Sequence, residues 1–311
     1  MMDQLISLLT DYTFQVVALG TGFLGLLSGV IGTYATIRGE SLLGDALSHA
    51  ALPGIAIGFL LIGRKEWVVL MLGAAASGLA ATALIQWMSR KRVVKFDSAL
   101  SLILSSFFGL GLVLLTHIQG SANANQAGLD TFIYGQASAM LIQDVQTIAG
   151  IGAVLLLVVG LFWKEFKAYT FDPVFTQTLG FSGTLLEFLL SGMMVVVIIL
   201  GLESVGVILM SALVVGPSVA ARQWSDRLSG VMGLSGLFGF LSGVIGTTLS
   251  SIGHQIPTGP TIVVVLSIFV MASLLFAPKR GLLMKQLEQK KRKQKYAQQL
   301  QTRKEANEYV G

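Results

Sequence analysis

No cysteine occurs among the 311 residues, which removes disulfides, thiolate metal ligands and a cysteine nucleophile together. Charge is scarce as well. Asp, Glu, Lys and Arg make up 12% of the chain, about half the share usual in soluble domains. That deficit excludes an ordinary soluble enzyme, and a hydrophobic share of 53% excludes a disordered chain. The phosphate-cradling pattern GxxxxGK[ST] is missing, and the glycine clusters lie inside apolar runs with no strand before them. Nucleotide binding by this chain is therefore excluded as a reading. If ATP is used, a separate subunit must hydrolyse it, so the chain itself is not expected to be an enzyme.

What is present is a series of apolar blocks about 20 residues long, the length that crosses a bilayer as helix. The fold class expected is all-α: a polytopic integral membrane protein with eight or nine transmembrane helices. Nine candidates can be read, near 13–37, 41–62, 66–88, 98–117, 143–163, 182–200, 203–221, 228–250 and 260–278. The eighth or ninth depends on the 182–221 region, where Gly216 and Pro217 interrupt an apolar run. The 36 glycines suit closely packed membrane helices. The polar segments between spans alternate between two sides, and nineteen basic residues fall on one side against Arg64 and Lys65 on the other. The positive-inside rule then places the N-terminus outside and the C-terminus in the cytoplasm. The start, MMDQLISLLTDY, lacks the features of a cleaved signal peptide.

The division expected is a transmembrane permease domain over 1–280 and a basic cytoplasmic tail over 281–311. From Lys279 onward there are ten basic and three acidic residues. A nucleic-acid role fits such a run less well than a solvated tail touching anionic lipid. Segment 22–33, GFLGLLSGVIGT, recurs as GLFGFLSGVIGT at 236–247, with nine of twelve positions identical. An inverted repeat would produce this, but small-xxx-small packing chemistry (Gly25/Gly29, Gly239/Gly243) is the preferred explanation. Residues 118–142 are too polar to span and suit a re-entrant or interfacial piece. Residues 164–181 suggest a short helix with Asp172 as N-cap, Pro173 in the first position and Gly180 at its end. Such an element serves either to dock a partner or to connect spans along the membrane surface.

Ionisable groups inside a membrane need a reason. Asp45 and His49 are four apart and share one helical face. Counting from Gly39 puts His49 about 15 Å in, near the midplane. A carboxylate and an imidazole from one turn make half a site for Mn²⁺, Zn²⁺ or Fe²⁺ rather than Cu⁺. Small neighbours (Gly44, Ala46, Ser48) allow another helix to approach, and Pro53 frees backbone carbonyls one turn earlier, loosening the helix near the pair. The competing reading is an Asp–His hydrogen bond that only holds helices together. Elsewhere, Glu187 is expected to snorkel to the interface. Asp97 reads as an N-cap, His117 as a wetted helix end, His254 as a possible entry contact, and Asp130 and Glu203 as solvated loop carboxylates.

Four stretches carry a family resemblance: GTYATIRGESLLGDALSHAALPGIA (32–56), FDPVFTQTLG (171–180), VGVILMSALVVGPSVAARQ (205–223) and IPTGPTIVVVLS (256–267). Together they resemble the metal-ion permease family of ABC importers, the membrane subunits for manganese, zinc and iron uptake. The resemblance implies a permease core of two chains, a homodimer foremost or else a heterodimer with a related permease, two cytoplasmic ATP-binding subunits and an extracytoplasmic metal-binding protein. It implies that Asp45 and His49 handle the metal, and that a coupling helix containing Phe171, Asp172, Pro173 and Gly180 meets the ATPase. Mn²⁺, or else Zn²⁺ or Fe²⁺, is then cargo, and no resident cofactor is expected. The alternatives are a proton- or cation-coupled secondary transporter, or an ABC permease for a metal chelate.

Overall fold

The structure, a computed structural model, describes residues 10–91, 94–120, 131–253, 256–278, 280–282 and 284. Among them there is no strand, and nine helices are long and apolar enough to cross a membrane. These are α1 (Tyr12–Arg38), α2 (Leu43–Ile62), α3 (Trp67–Arg90), α4 (Phe96–Gln119), α6 (Ile142–Leu161), α9 (Gly183–Leu202), α10 (Ser204–Arg222), α11 (Leu228–Ile252) and α12 (Thr258–Phe276). Three short helices lie between them: α5 (Thr131–Tyr134), α7 (Trp163–Phe171) and α8 (Pro173–Thr178). The expected spans agree with these to within about four residues at each end.

Helices α9 and α10 are separate spans, and the non-helical backbone that breaks the run is at Gly206 (φ 77°, ψ 169°), in the first turn of α10. Only a residue without a Cβ adopts that backbone readily. Gly216 and Pro217 instead lie inside α10. The two helices fold back on each other. Gly201 presses on Met210, although nine residues of straight helix would separate them by about 13 Å. Glu187 and Arg222 accordingly both reach the end of α1, where Arg38 lies near Glu187 and the Arg222 guanidinium donates to the Thr36 carbonyl at 3.0 Å.

The bundle therefore has two distinct ends. One gathers Arg38, Arg90, Glu187 and Arg222, with Trp224 Nε1 donating to Ser273 Oγ at 3.0 Å and Arg280 paired with Asp226 at 2.9 Å. Apart from Arg64 and Lys65, the described basic residues lie at this basic end, as the alternation of spans requires. At the opposite end the Gln136 N–H donates to the Ser204 carbonyl at 3.0 Å, so the 131–140 segment props the α9–α10 turn rather than spanning. Residues 121–130, Arg92, His254 and the tail beyond Met284 lie outside the described residues, as does the Glu203 side chain.

The two copies of the repeated motif face each other. Thr21 and Thr247 hydroxyls are 3.1 Å apart, a Cβ on Gly25 would strike the Gly239 carbonyl, and Ser235 Oγ donates to the Gly29 carbonyl at 2.7 Å. Numbers rise along α1 as they fall along α11, so the helices are antiparallel and the small residues are used for backbone approach. Helices α1, α2 and α10 are the most enclosed. The outer faces of α3, α4, α6 and α12 expose Leu72, Val113, Leu157 and Ile268. An apolar surface of that extent is what lipid covers.

Candidate metal centre

Helix α1 ends when Gly39 turns the chain, its N–H bonding Thr36 and the next N–H bonding the Ala35 carbonyl at 2.8 Å. The Leu43 N–H then bonds the Glu40 carbonyl, and α2 starts without a side-chain cap. Asp45 stands in its first turn, where unpaired N–H groups favour an anion. Because α2 begins at Leu43, His49 lies about 9 Å along it. The reading that measured about 15 Å from Gly39 ran straight through residues that form a turn.

Asp45 Oδ1 and His49 Nε2 are 3.4 Å apart, with the two side chains 39% and 18% exposed. That is long for a hydrogen bond between nitrogen and oxygen. It matches the separation of two tetrahedral ligands about 2.1 Å from a shared ion, which is about 3.4 Å. His49 Nδ1 is buried and has no hydrogen-bond partner among the described residues. The Phe108 ring of α4 meets the imidazole edge-on at 4.5 Å between centroids, and Ser211 of α10 interacts with the Asp45 carboxylate. Among the described residues no group of three His, Asp or Glu converges, so those residues bring two charged or basic donors together here.

Neighbouring helices reach α2 through missing side chains. A Cβ on Gly54 would hit the Gly73 carbonyl of α3, and one on Gly111 of α4 would hit Leu52 and Pro53. Ser77 of α3 donates to the Ala50 carbonyl at 2.6 Å, one residue beyond the His49 carbonyl that Pro53 leaves without its helical partner. On the other flank Gly44 admits Val214 of α10.

At the basic end, Glu187 is paired rather than free in water. Its carboxylate takes Arg90 at 2.9 Å and the Tyr169 hydroxyl at 3.3 Å, and lies 3.8 Å from Arg38. Arg38 also pairs with Glu40 at 2.7 Å and sits over the Tyr169 ring, 5.0 Å from its centroid. Burial raises the Glu40 carboxyl above the usual range, against the lowering pull of Arg38. Burial, and next the Glu187 charge, push the Tyr169 phenol up to about 12. Asp97 is not the N-cap of α4, since Lys95 holds that position and Asp97 falls in the first turn.

Beyond Tyr169 the chain enters α8. Asp172 Oδ1 accepts from the Phe175 N–H at 2.9 Å, Pro173 is in the first turn, and Gly180 closes the element at φ 88°. The Phe181 N–H returns to the Thr176 carbonyl. Thr176 is buried, while Phe171, Val174, Phe175 and Leu179 are exposed, Val174 by 73%. An apolar face this open on a short element outside the spans is a contact surface in form.

Sequence spacing therefore located the Asp45–His49 pair and the caps of α8. It missed Phe108, Ser211 and the Glu187 cluster, because their partners come from distant segments. Helical spacing gives no signal for them.

Comparison with known proteins identifies the family and supports the fold. A family model described as the ABC 3 transport family matches residues 10–277. The zinc transport system membrane protein TroC of Treponema pallidum is 48% identical over 282 residues, 91% of this chain and 95% of that one. The manganese transport system membrane protein MntC of Bacillus subtilis is 44% identical over 86% of this chain and 62% of its own length. Among solved structures, the PsaBC complex with Fab from Streptococcus pneumoniae superposes with a TM-score of 0.77 at 29% identity. The match covers 90% of this chain and 98% of that one.

Proposed function

The chain belongs to the ABC 3 transport family, and from that premise we propose that it is the permease subunit of an ATP-driven importer for a divalent transition metal. It is a multi-pass protein of the cell membrane. The cargo is Mn²⁺ foremost, with Zn²⁺ or Fe²⁺ next, in keeping with relatives described as zinc and manganese transport proteins. An oxygen and imidazole donor set without sulfur suits these ions.

The observation that carries the reading is the Asp45–His49 pair, two donor atoms 3.4 Å apart and part-exposed on an intramembrane helix. Two donors are too few to hold a cation firmly. A second permease chain, related by a two-fold axis, would bring a second pair and raise the count to four. The part-exposed stripe of α10 that includes Ser211, Ala212 and Val215 adjoins Asp45 and fits such a partner. The weak site that remains suits release, since tight binding traps an ion.

The basic end faces the cytoplasm by the positive-inside rule, which leaves the N-terminus outside. An extracytoplasmic metal-binding protein delivers the ion to the opposite end. Helix α8, with Phe171, Asp172, Pro173 and Gly180, is where cytoplasmic ATP-binding subunits dock, and the basic tail over 281–311 lies against anionic lipid. The transmembrane domain over 1–280 carries the transport path.

The test is Mn²⁺ accumulation in vesicles holding the permease, its ATP-binding subunits and the metal-binding protein, with Zn²⁺ and Fe²⁺ as competitors. ATP-dependent accumulation supports the reading. Accumulation that persists without the ATP-binding subunits contradicts it and favours a secondary transporter.

A further inference from the structure

Glu187 stands at the meeting point of three elements that the proposed transport cycle must move together. It lies on the first turns of α9. Its carboxylate holds Arg90 at the end of α3, and the hydroxyl of Tyr169 on α7, two residues before Phe171 and three before the Asp172 cap of α8. Near it lies Arg38, the last residue of α1. Arg38 in turn grips Glu40, in the turn that leads into the helix bearing Asp45 and His49. The side chains of Arg38, Glu40 and Glu187 are 12%, 15% and 16% exposed. These three side chains form the sealed part of the cluster, two carboxylates around one guanidinium, and Arg90, 43% exposed, completes the pairing from the rim. Screening by salt and water is weak there, so displacing one member shifts the rest.

We infer that Glu187 is a positioning residue for transport, which couples movement of the α7–α8 element through Tyr169 and Arg38 to the α1–α2 turn that aims the Asp45–His49 pair. The side-chain contacts make a continuous line from Tyr169 through Glu187 and Arg38 to Glu40, and the chain itself carries that line on to the α8 cap three residues past Tyr169 and to α2 three residues past Glu40. Each of these three side-chain joints is charged or charge-assisted rather than a methyl packed on a methyl. Such joints have direction, so rotation of α8 pulls on the turn instead of slipping past it. Thr184 adds a second hold on Arg90 at 2.8 Å, which fixes the start of α9 against α3 and leaves Glu187 as the pivot.

This inference rests on the reading of the chain as an ATP-driven importer. Its test uses the complete reconstituted transporter with Mn²⁺ as probe, in wild type, Tyr169→Phe and Glu187→Gln. The readout is the number of ions accumulated per ATP hydrolysed, with the half-saturating Mn²⁺ concentration measured alongside. Tyr169→Phe deletes a single oxygen from a buried ring and leaves the ring packing in place, so it keeps the test clear of misfolding. Losing a hydrogen bond to a charged group shifts an equilibrium by about tenfold or more. The expected result is a fall of about tenfold in ions per ATP in both variants, with half-saturation unchanged because neither residue touches the ion. A ratio equal to wild type in both variants overturns the inference, including the case in which uptake and hydrolysis decline together. A wild-type transporter that accumulates no ion removes the importer reading and this inference with it.

Discussion

Gly25 of α1 and Gly239 of α11 are pressed together so closely that a Cβ built on either would collide with the other's carbonyl group. The contact lies inside the twelve-residue motif that occurs twice in the chain, and it shows what the repetition does. Each copy supplies the groove into which the other fits.

Gly239→Ala should therefore destabilise the folded chain by about 1–3 kcal/mol, the range for overfilling a packed interior. The neighbouring Gly233→Ala is the control. Its Cβ would meet nothing within 4 Å, and alanine is the better helix former. Unfolding in detergent should separate the two variants, with Gly233→Ala at or above wild-type stability.

Asp172→Ala removes the side chain that caps α8 and should cost that element about 1 kcal/mol. Gly180→Pro is harsher, since proline cannot adopt the φ of 88° seen there. Both are expected to weaken docking of the ATP-binding subunits. The check is ATP hydrolysis stimulated by the metal-binding protein, which should fall in both variants and fall further in Gly180→Pro.

Phe108→Leu withdraws the ring that meets His49 edge-on at 4.5 Å. Aromatic pairs of this kind contribute about 0.5–1.5 kcal/mol. The half-saturating Mn²⁺ concentration should rise roughly two- to tenfold while the maximal rate changes less. Equal half-saturation in the variant would show that the ring does not orient the imidazole.

The Tyr169 phenol titrates near pH 12, raised mainly by burial. A raised value means the folded state holds the proton more tightly than the unfolded chain, whose phenol titrates near 10. The resulting stability is present in full below about pH 10 and is lost as pH climbs from there toward 12. Tyrosinate absorbance compared between wild type and Tyr169→Phe should show one phenol missing from the late part of the titration.

Much of this architecture was legible in the sequence for a simple reason. A bilayer demands about 20 apolar residues per crossing, so α1, α2 and α12 could be bounded from composition alone. Helix caps are equally local, which is why Asp172, Pro173 and Gly180 could be placed correctly. The division of 182–221 into two spans was legible too, but Gly206, the residue that makes the break, was not. One glycine among 36 carries no mark of unusual φ, whereas Gly216 and Pro217 look like an interruption and are absorbed within α10. The start of α2 was read at 41 and lies at Leu43, and counting from Gly39 added the turn to the distance of His49 along its helix.

The candidate site divides along the same line. Asp45 and His49 lie one helical turn apart, so their spacing announces them. Phe108 and Ser211 arrive from α4 and α10, and Glu187 finds its partners 149, 97 and 18 residues away, at Arg38, Arg90 and Tyr169. A buried carboxylate read without those partners looks like a side chain bending toward water.

The central claim is that the ion passes in direct contact with the His49 imidazole and the Asp45 carboxylate. Electron spin-echo spectroscopy of Mn²⁺ held in the reconstituted transporter addresses it most directly, because a coordinated imidazole imprints its nitrogen on the manganese signal. The wild-type complex should show that coupling, and His49→Ala should lose it. The same nitrogen signal in His49→Ala, or its absence from a wild-type complex that transports Mn²⁺, would contradict the claim.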